Sequence, residues 1–399
     1  MKELITLQES QSLIAELREK YYYNRDSEFV TVEKSLNREL AEDVVSEENS
    51  PPYHMASYDG FAIRHEDSKS YPLKIVGSVY AGTEKKDIPR LRAGEAVSIA
   101  TGAYLPDGAD CVLKLEDSEV KGENLYGKPV EKWTKVVKAG SNYRRGEIIL
   151  RKKTQIRPQE IGILYGAGVS KVKVYKKPNV AVISTGDEVH NNMIIDTNAP
   201  MIMACLKEWG CDPLFLGTVP DDLKKLTEKL LEASKYDVII TSGGVSVGNR
   251  DYVLKAIMEL GTLIFYRVRT RPGKPLAVGI IESTPIFALP GKPTGAFVAA
   301  ELNLQKYFLG DAARPVKKLR ITENIKMATE GFANIVFVQV NDEKAIPIGF
   351  QNSHMQFMRS DDFYNVSTIA SSLRATVADG YVITERNIEK GEVIEVNLF

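Results

Sequence analysis

The sequence predicts a multidomain chain of mixed α/β and β type, in which a parallel-sheet α/β block is joined to a β-rich module and a β-type tail. Three observations predict it. At 399 residues the chain exceeds one compact core at ~100–200 residues per domain. Unbroken β-branched runs at 180–183 and 238–240 alternate with helical stretches, as strands covered on both faces do. Between Pro51 and about Val137 the pattern is instead short β-like runs separated by turn residues.

In chain order, Thr6 and Glu9 form a capping box ahead of a helix carrying Leu13, Ile14, Leu17 and Tyr21 at helical spacing. Tyr21–Tyr23 is expected to be a packing cluster. A shorter helix is expected after Thr31, with Leu36 and Leu40 inward, and Pro51-Pro52 closes that region. Strands are expected at 73–79, 96–99 and 111–115, punctuated by Gly82, Gly94, Gly102, Pro106 and Gly108. A basic connector from Gly140 to Lys177 carries a helix at 158–165 and a strand at 169–175. Helices at 200–209, 223–234, 252–260 and 296–307, with a strand at 262–269, complete the α/β block. From about Ala313 the alternation returns to strand type, ending at 391–399, and suggests a small barrel or sandwich.

Composition narrows the function. The 52 basic and 53 acidic side chains leave a formal net charge of −1, which argues against a nucleic-acid or anionic-membrane partner. No stretch approaches the ~20 apolar residues of a membrane span, and the N-terminus lacks a signal-peptide pattern; a cytoplasmic protein is expected. Cys111, Cys205 and Cys211 contain no C-x-x-C pair, so a reducing compartment is expected and a cysteine-built zinc site is not. His54, His65, His190 and His354 show no metal-ligand spacing.

The chemistry concentrates at strand ends. The run Thr241-Ser-Gly-Gly-Val-Ser-Val-Gly248 follows a buried strand, and Ser242, Gly243, Gly244, Ser246 and Gly248 suit an anion cradle of converging N–H groups before a helix. The alternative is a bare strand-to-helix turn. A second strand ends in Ser184-Thr-Gly-Asp-Glu188, where Thr185 and Gly186 turn the chain and Asp187 and Glu188 either favour a helix start or hold a divalent cation such as Mg2+ beside a phosphate. Asp222, Asp251 and Asp59 are further acids at strand or loop ends. If 267–271 is strand, Arg267, Arg269 and Arg271 share a face, and Pro272-Gly273 delivers Lys274 on a turn, making a cationic patch or a charged edge. Pro290-Gly-Lys-Pro293 is another candidate ligand loop.

Six motifs then occur in one order: Ser57-Tyr-Asp59-Gly60, Ala100-Thr101-Gly102 with its Pro-Asp-Gly-Ala-Asp continuation, Ser184-Thr-Gly-Asp-Glu188, Thr241 to Asp251, Pro272-Gly-Lys-Pro275, and Leu289-Pro-Gly-Lys-Pro293. Together they resemble the molybdopterin molybdenumtransferases, the family that includes the E-domain of gephyrin. The match runs from about Glu39 to Tyr307, with a fainter echo ending at Ser353.

The resemblance implies a segmented linker domain (1–50 and 138–177), a β-rich domain (51–137), a three-layer molybdopterin-binding α/β domain (178–312) and a C-terminal β-barrel (313–399). It implies insertion of molybdate into adenylylated molybdopterin with release of AMP and use of Mg2+, in a homodimer. By position it makes Asp59, Thr101, Glu188, Asp222 and Asp251 the functional acids and hydroxyl, with Asp59, Glu188 and Asp251 on the metal. Thr185, Gly186, Ser242, Gly243, Gly244, Ser246, Arg271, Lys274, Pro290, Pro293 and Ser353 become substrate-binding positions. The chain departs from the family's usual residues at Ala56-Ser57-Tyr58, Arg271, Lys292 and Gly295. The changes at Lys292, Gly295 and Arg271 leave open a tungstate-preferring or divergent paralogue. Two other readings are a molybdopterin adenylyltransferase, which shares the α/β domain, and a non-catalytic scaffold.

Overall fold

The computed structural model describes residues 2–245, 251–311, 314–327, 331–350, 353–356, 364 and 372–399. The chain divides into two compact units, Met1–Asp26 with Lys176–Phe399, and Ser27–Tyr175.

The first unit is built on a seven-strand sheet in the order Lys2–Ile5, Gly261–Val268, Ala277–Ile281, Thr284–Leu289, Val238–Ser242, Asn179–Thr185, Asp212–Val219. Alternation along the strands explains its layers. Val180, Val182, Val238, Ile240, Phe287 and Leu289 face one core, with Ile202 and Leu206 of the helix Asn198–Glu208. Ala181, Ile183, Ile239, Ile286 and Ala288 face the other, against Leu226 and Leu230 of Leu223–Ala233 and Ile257 of Tyr252–Leu260. Helices therefore cover both faces, the three-layer arrangement expected.

The sheet is parallel, as expected, in all but one strand. Ala277–Ile281 runs antiparallel to both neighbours. It joins Thr284–Leu289 through the two residues Glu282 and Ser283, with Glu282 at φ 53, and so short a connection returns a chain only antiparallel.

The first 26 residues belong to the first unit. Lys2–Ile5 pairs parallel with Gly261–Val268, and the helix Leu7–Tyr21, opened by the Thr6–Glu9 capping box, buries Ile14 and Leu17 in the α/β core. Arg18 fixes that helix by donating to the carbonyls of Tyr307 and Phe308 at 2.5 and 2.8 Å. Tyr22 packs edge-on against Tyr307 and Phe308, so the tyrosine cluster is core.

In the same unit, Ala333–Asn341, Lys344–Pro347, Val316–Ile321, Val393–Leu398 and Gly380–Thr384 pair in turn, and the last pairs back to the first. This closes a five-strand barrel around Leu319, Val336, Phe337, Val338, Tyr381 and Val396. Thr270–Arg271 adds to it, parallel to Ala333–Asn334.

The second unit holds a six-strand half barrel in the order Cys111–Lys114, Gly60–Ile63, Glu95–Ile99, Leu73–Val79, Asn124–Gly127, Ser118–Lys121. Gly60 is obligatory there, since a Cβ would lie 2.0 Å from the Leu113 carbonyl oxygen. Ser27–Thr31 pairs with Lys171–Tyr175 and Val44–Val45 with Ile148–Leu150, beside the helix Pro158–Gly166. The helix expected after Thr31 is a single turn, Val32–Lys34; Leu40 is buried, but Leu36 is exposed.

No helix among the described residues is long and apolar enough to cross a membrane. Cys111 and Cys211 are buried, and burial, with a smaller contribution from Asp110, pushes the Cys111 thiol up to about 12. Such a thiol is inert as a nucleophile at neutral pH.

Candidate active site

Three parallel strands of the first unit end side by side, and their backbones touch. Gly243 has φ 94, and a Cβ there would meet the Thr185 carbonyl oxygen at 2.4 Å. Gly244 has φ 68 and would meet Val253 at 2.6 Å and the Thr185 hydroxyl at 2.9 Å. A Cβ on Gly291 would stand 3.6 Å from the Gly243 Cα. Glycine is required at 243 because the φ is left-handed and the approach is backbone to backbone, and at 244 because the φ is left-handed and the Val253 and Thr185 side chains stand against it. The Gly243 N–H donates to the Leu289 carbonyl at 3.1 Å, and the Thr185 hydroxyl to the Ser242 carbonyl at 3.3 Å.

Asn198 joins the three ends, and the sequence reading missed it. Its Nδ2 donates to Ser242 Oγ at 2.8 Å and to the Gly291 carbonyl at 2.9 Å. Asp196 positions it by accepting the Asn198 and Ala199 N–H groups at 3.0 and 3.1 Å, while Ser184 donates to the same carboxylate. The available signal was Asp196-Thr-Asn198 immediately before an apolar helix. Asn198 Oδ1 and Thr241 Oγ1 are buried with no hydrogen-bond partner among the described residues. Two unsatisfied oxygens at joined strand ends mark a place where a ligand or water donor is wanted. Ser246 and Gly248 lie outside the described residues.

Glu188 stands on the short helix Asp187–His190 behind Gly186, whose φ is 128. A Cβ on Gly186 would lie 3.0 Å from the Glu188 carboxylate, so this glycine lets the side chain fold over the turn. The carboxylate is exposed and has no hydrogen-bond or ion-pair partner among the described residues. Asp187 accepts the Asp221 N–H at 3.1 Å, a structural role. Asp251 opens the helix Tyr252–Leu260. Burial chiefly, and the Asp251 charge to a lesser degree, push the Tyr266 phenol up.

Asp222 has local work. Its Oδ1 accepts the Lys225 N–H at 2.9 Å and caps Leu223–Ala233. Asp222→Ala is therefore expected to lower stability by about 1 kcal/mol, and Asp222→Asn, which still caps, by much less. Urea denaturation of the two variants checks this, and equal losses would show that the cap is not what matters.

The basic run is not one strand face. Arg267 adopts φ 66, which breaks the alternation. It pairs with Glu3 at 3.0 Å, and Arg269 donates to the Leu4 carbonyl at 3.3 Å. Arg271 and Lys274 go elsewhere: both lie over the Phe332 ring, at 4.7 and 5.7 Å from its centre. Gly273, at φ 103, turns the chain between them, and a Cβ on Gly295 would fall 3.3 Å from Pro290 and 3.7 Å from the Gly273 nitrogen. The cationic turn thus packs on the start of the helix Pro293–Ala299, beside the Pro290–Gly291 loop that touches Gly243. Ser353 is buried, accepting the Gly349 N–H at 3.1 Å and donating to the Phe350 carbonyl at 2.8 Å within its own turn.

Asp59 and Thr101 belong to the second unit and meet there. Asp59 Oδ1 accepts the Thr101 N–H at 2.7 Å and its hydroxyl at 2.8 Å. The backbone bond first, then the hydroxyl, holds the Asp59 carboxyl below its ordinary range. A depressed carboxylate contributes stability above its unfolded pKa and loses it as pH falls through the folded value. Thr101→Val removes the hydroxyl donor and is expected to move the Asp59 NMR titration midpoint upward; an unmoved midpoint would discount that bond.

Among the described residues, no three His, Cys, Asp or Glu side chains converge to cage a metal by themselves. The available donors, Glu188 and Asp251 here and Asp59 in the second unit, are hard oxygens. Such donors suit Mg2+, which takes one or two carboxylates and completes its shell with waters and substrate phosphate.

Residues 5–168 match the family model "MoeA N-terminal region (domain I and II)", and residues 181–309 match "Probable molybdopterin binding domain". A molybdopterin molybdenumtransferase of Haemophilus influenzae is 28% identical over 96% of this chain and 98% of its own length. A putative molybdopterin biosynthesis protein of Methanocaldococcus jannaschii is 30% identical over 100% and 99%. Staphylococcus aureus (strain COL) has a molybdopterin molybdenumtransferase that is 35% identical over 68% of each chain. The crystal structure of a MoeA molybdopterin biosynthesis protein from Pyrococcus horikoshii aligns over 99% of both chains, with TM-score 0.73 and 30% identity. With its two matched regions in this order and relatives of this similarity along its length, the chain belongs to the MoeA family of molybdenum cofactor biosynthesis proteins.

Proposed function

We propose that the chain inserts molybdate into adenylylated molybdopterin and releases AMP, the last step in making the molybdenum cofactor. The observation that supports this reading best is the pair of adjoining features in the first unit: the Thr185–Gly243–Gly291 cradle, and the Arg271–Lys274 turn packed on Pro290 and Gly295. The cradle suits the phosphate end of a pterin, with Asn198 Oδ1 and Thr241 Oγ1 still open to a donor. The cationic turn suits a tetrahedral oxyanion, because guanidinium and ammonium both donate to oxygen.

Glu188, with Asp251, would hold Mg2+ against the pyrophosphate. When bound, the ion supplies charge neutralisation at the phosphoryl oxygens. A water oxygen bonds to phosphorus as the pyrophosphate P–O bond breaks, leaving AMP and the pterin phosphate. No side chain has to form a covalent intermediate. Asp59 and Thr101 are assigned to the same reaction by their place in the family pattern. The reading includes a homodimer in the cytoplasm.

The test supplies purified protein with adenylylated molybdopterin, Mg2+ and either molybdate or tungstate, and follows AMP and cofactor. AMP release coupled to metal insertion is expected. Adenylylation of unadenylylated molybdopterin from ATP by this chain alone would favour the adenylyltransferase, and no turnover of either substrate would favour the scaffold. The tungstate variant of the proposal rests on Gly295. A serine there would oblige Pro290 to give by a few tenths of an ångström and would bring its side chain into contact with Gly273 of the cationic turn. Gly295→Ser is expected to change the ratio of molybdate to tungstate use; an unchanged ratio would remove that position from oxyanion choice.

A further inference from the structure

The helix that starts at Pro293 is shared between two cores. Ala296, Ala299, Ala300 and Leu304 face the α/β sheet, while Val298 and Leu302 are buried among barrel residues such as Ile335 and Phe337. Between α-helical Pro293–Ala299 and Gln305–Leu309 the helix widens into a π turn, Ala300–Leu304. Such turns are rare, and where they occur they often serve a site. Groups of the helix Leu7–Tyr21 hold this one: Gln11 Nε2 donates to the Leu302 carbonyl at 2.8 Å, and Ser10 Oγ to Asn303 Oδ1 at 2.7 Å.

The π turn carries a buried acid. The Glu301 side chain is 3% exposed, and it accepts from Arg314 Nε at 2.7 Å and Nη2 at 2.9 Å. The Tyr381 hydroxyl reaches the same carboxylate at 3.5 Å, and Arg314 also lies 3.6 Å from Glu208. Arg314 leads into the barrel strand Val316–Ile321, and Tyr381 stands opposite Phe337 in the barrel pairing. Glu301 is thereby tied to the barrel at two strands. A buried ion pair is a poor source of stability, because desolvation offsets the attraction, but a bidentate one is strict in direction. The apolar contacts of Val298 and Leu302 have no such direction and tolerate a slide of barrel along helix.

The cationic turn depends on that register from both sides. A Cβ on Gly273 would stand 3.2 Å from Val298 Cγ1 and 3.5 Å from the Ala299 nitrogen, one helical turn before Glu301. On its other side, Thr270–Arg271 pairs with Ala333–Asn334, at the start of the strand that carries Phe337. A turn clamped between helix and barrel keeps its shape only while the two keep their register.

We propose that Glu301 and Arg314 are a positioning pair, which sets the Arg271–Lys274 turn by fixing the register of the barrel against the helix. The pair acts through the turn and not on a ligand. That the turn then grips an oxyanion depends on the reaction proposed above; the control of its geometry does not.

The experiment compares the full chain with its double variant Glu301→Leu/Arg314→Met, in which apolar groups of similar volume replace the pair. Deuterium exchange read by mass spectrometry is followed over Thr270–Lys274 and over the central strand Val238–Ser242, and calorimetry follows binding of molybdate and of tungstate. The melting temperature is expected to stay within about 4 °C of the parent, since such replacements of buried pairs are often neutral. Exchange over Thr270–Lys274 is expected to be about tenfold faster with Val238–Ser242 unchanged, and oxyanion binding about tenfold weaker. Arg314→Lys keeps the charge without the fork, and is expected to show the same changes in smaller measure. It carries the test alone should the double variant not fold.

Parent-like exchange at the turn overturns the proposal. So does exchange that quickens equally at the turn and at the central strand with a lower melting temperature, because the pair then serves stability alone. Oxyanion binding at parent strength in a variant whose turn has loosened overturns it as well. Faster exchange confined to the turn, in a parent that binds neither oxyanion, supports the positioning role and counts instead against the oxyanion reading of the turn.

Discussion

Replacing Glu188 by glutamine is expected to slow AMP release by at least about a hundredfold while leaving the melting temperature unchanged. The two halves of that expectation have different grounds. Glu188 is exposed and makes no hydrogen bond or ion pair among the described residues, so neutralising it removes no packing and strands no partner. Folding should not register the change. Its carboxylate nevertheless folds back over Gly186, at the end of the strand Asn179–Thr185 and next to the Thr185–Gly243 contact. A charge kept solvated and unpaired at that point is available to a cation and a pyrophosphate. Glutamine retains the shape and loses the charge. Comparing AMP production at saturating substrate with thermal melts of the two proteins decides the matter. Full turnover by Glu188→Gln would take the residue out of the reaction.

Gly243→Ala is expected to do the reverse, damaging both stability and binding. The new Cβ would stand 2.4 Å from the Thr185 carbonyl oxygen, and neither backbone can yield without shifting a central strand. The left-handed φ of 94 adds its own strain. Together a loss of about 1–3 kcal/mol is expected in urea denaturation, with weakened binding of the phosphorylated pterin. Gly210→Ala separates the two causes. It also sits at positive φ, 79, but a Cβ there meets nothing within 4 Å. It should show the conformational cost alone and keep ligand binding. Equal behaviour of the two variants would mean that the close approach of strand ends is unimportant.

Much of the α/β architecture was legible because buried strands write themselves plainly. Val180 to Ile183 and Val238 to Ile240 are apolar on both faces, and the helices between them keep their period. Asp212–Val219 was not legible. It lies at the sheet edge, where Leu214 and Phe215 are largely exposed and Pro213 and Gly217 interrupt the run. Ala277–Ile281 hid for another reason: it follows directly on the Pro272-Gly-Lys-Pro275 turn and reads as its continuation.

The candidate site was half legible. Glycines at strand ends announce themselves through the conformations that only they adopt easily, and Gly243, Gly244 and Gly186 all have positive φ. Asn198 could not be found that way. Its partners Ser242 and Gly291 are 44 and 93 positions distant, and an asparagine at a helix start is ordinary in any sequence. The arginine alternation failed because period-two reasoning assumes an unbroken strand, and Arg267 breaks it with a single dihedral.

The contact between Thr270–Arg271 and the barrel strand has one more implication. Phe332 supports both cations of the turn and lies next to Ala333, which pairs with Thr270. The barrel is thus the bench on which the two charges of the turn are set. If the turn holds an oxyanion as proposed, exchanges at Phe332 would retune how tightly it is gripped. Searches for the origin of metal preference among related chains should therefore compare the surface beneath those charges as well as the charges themselves.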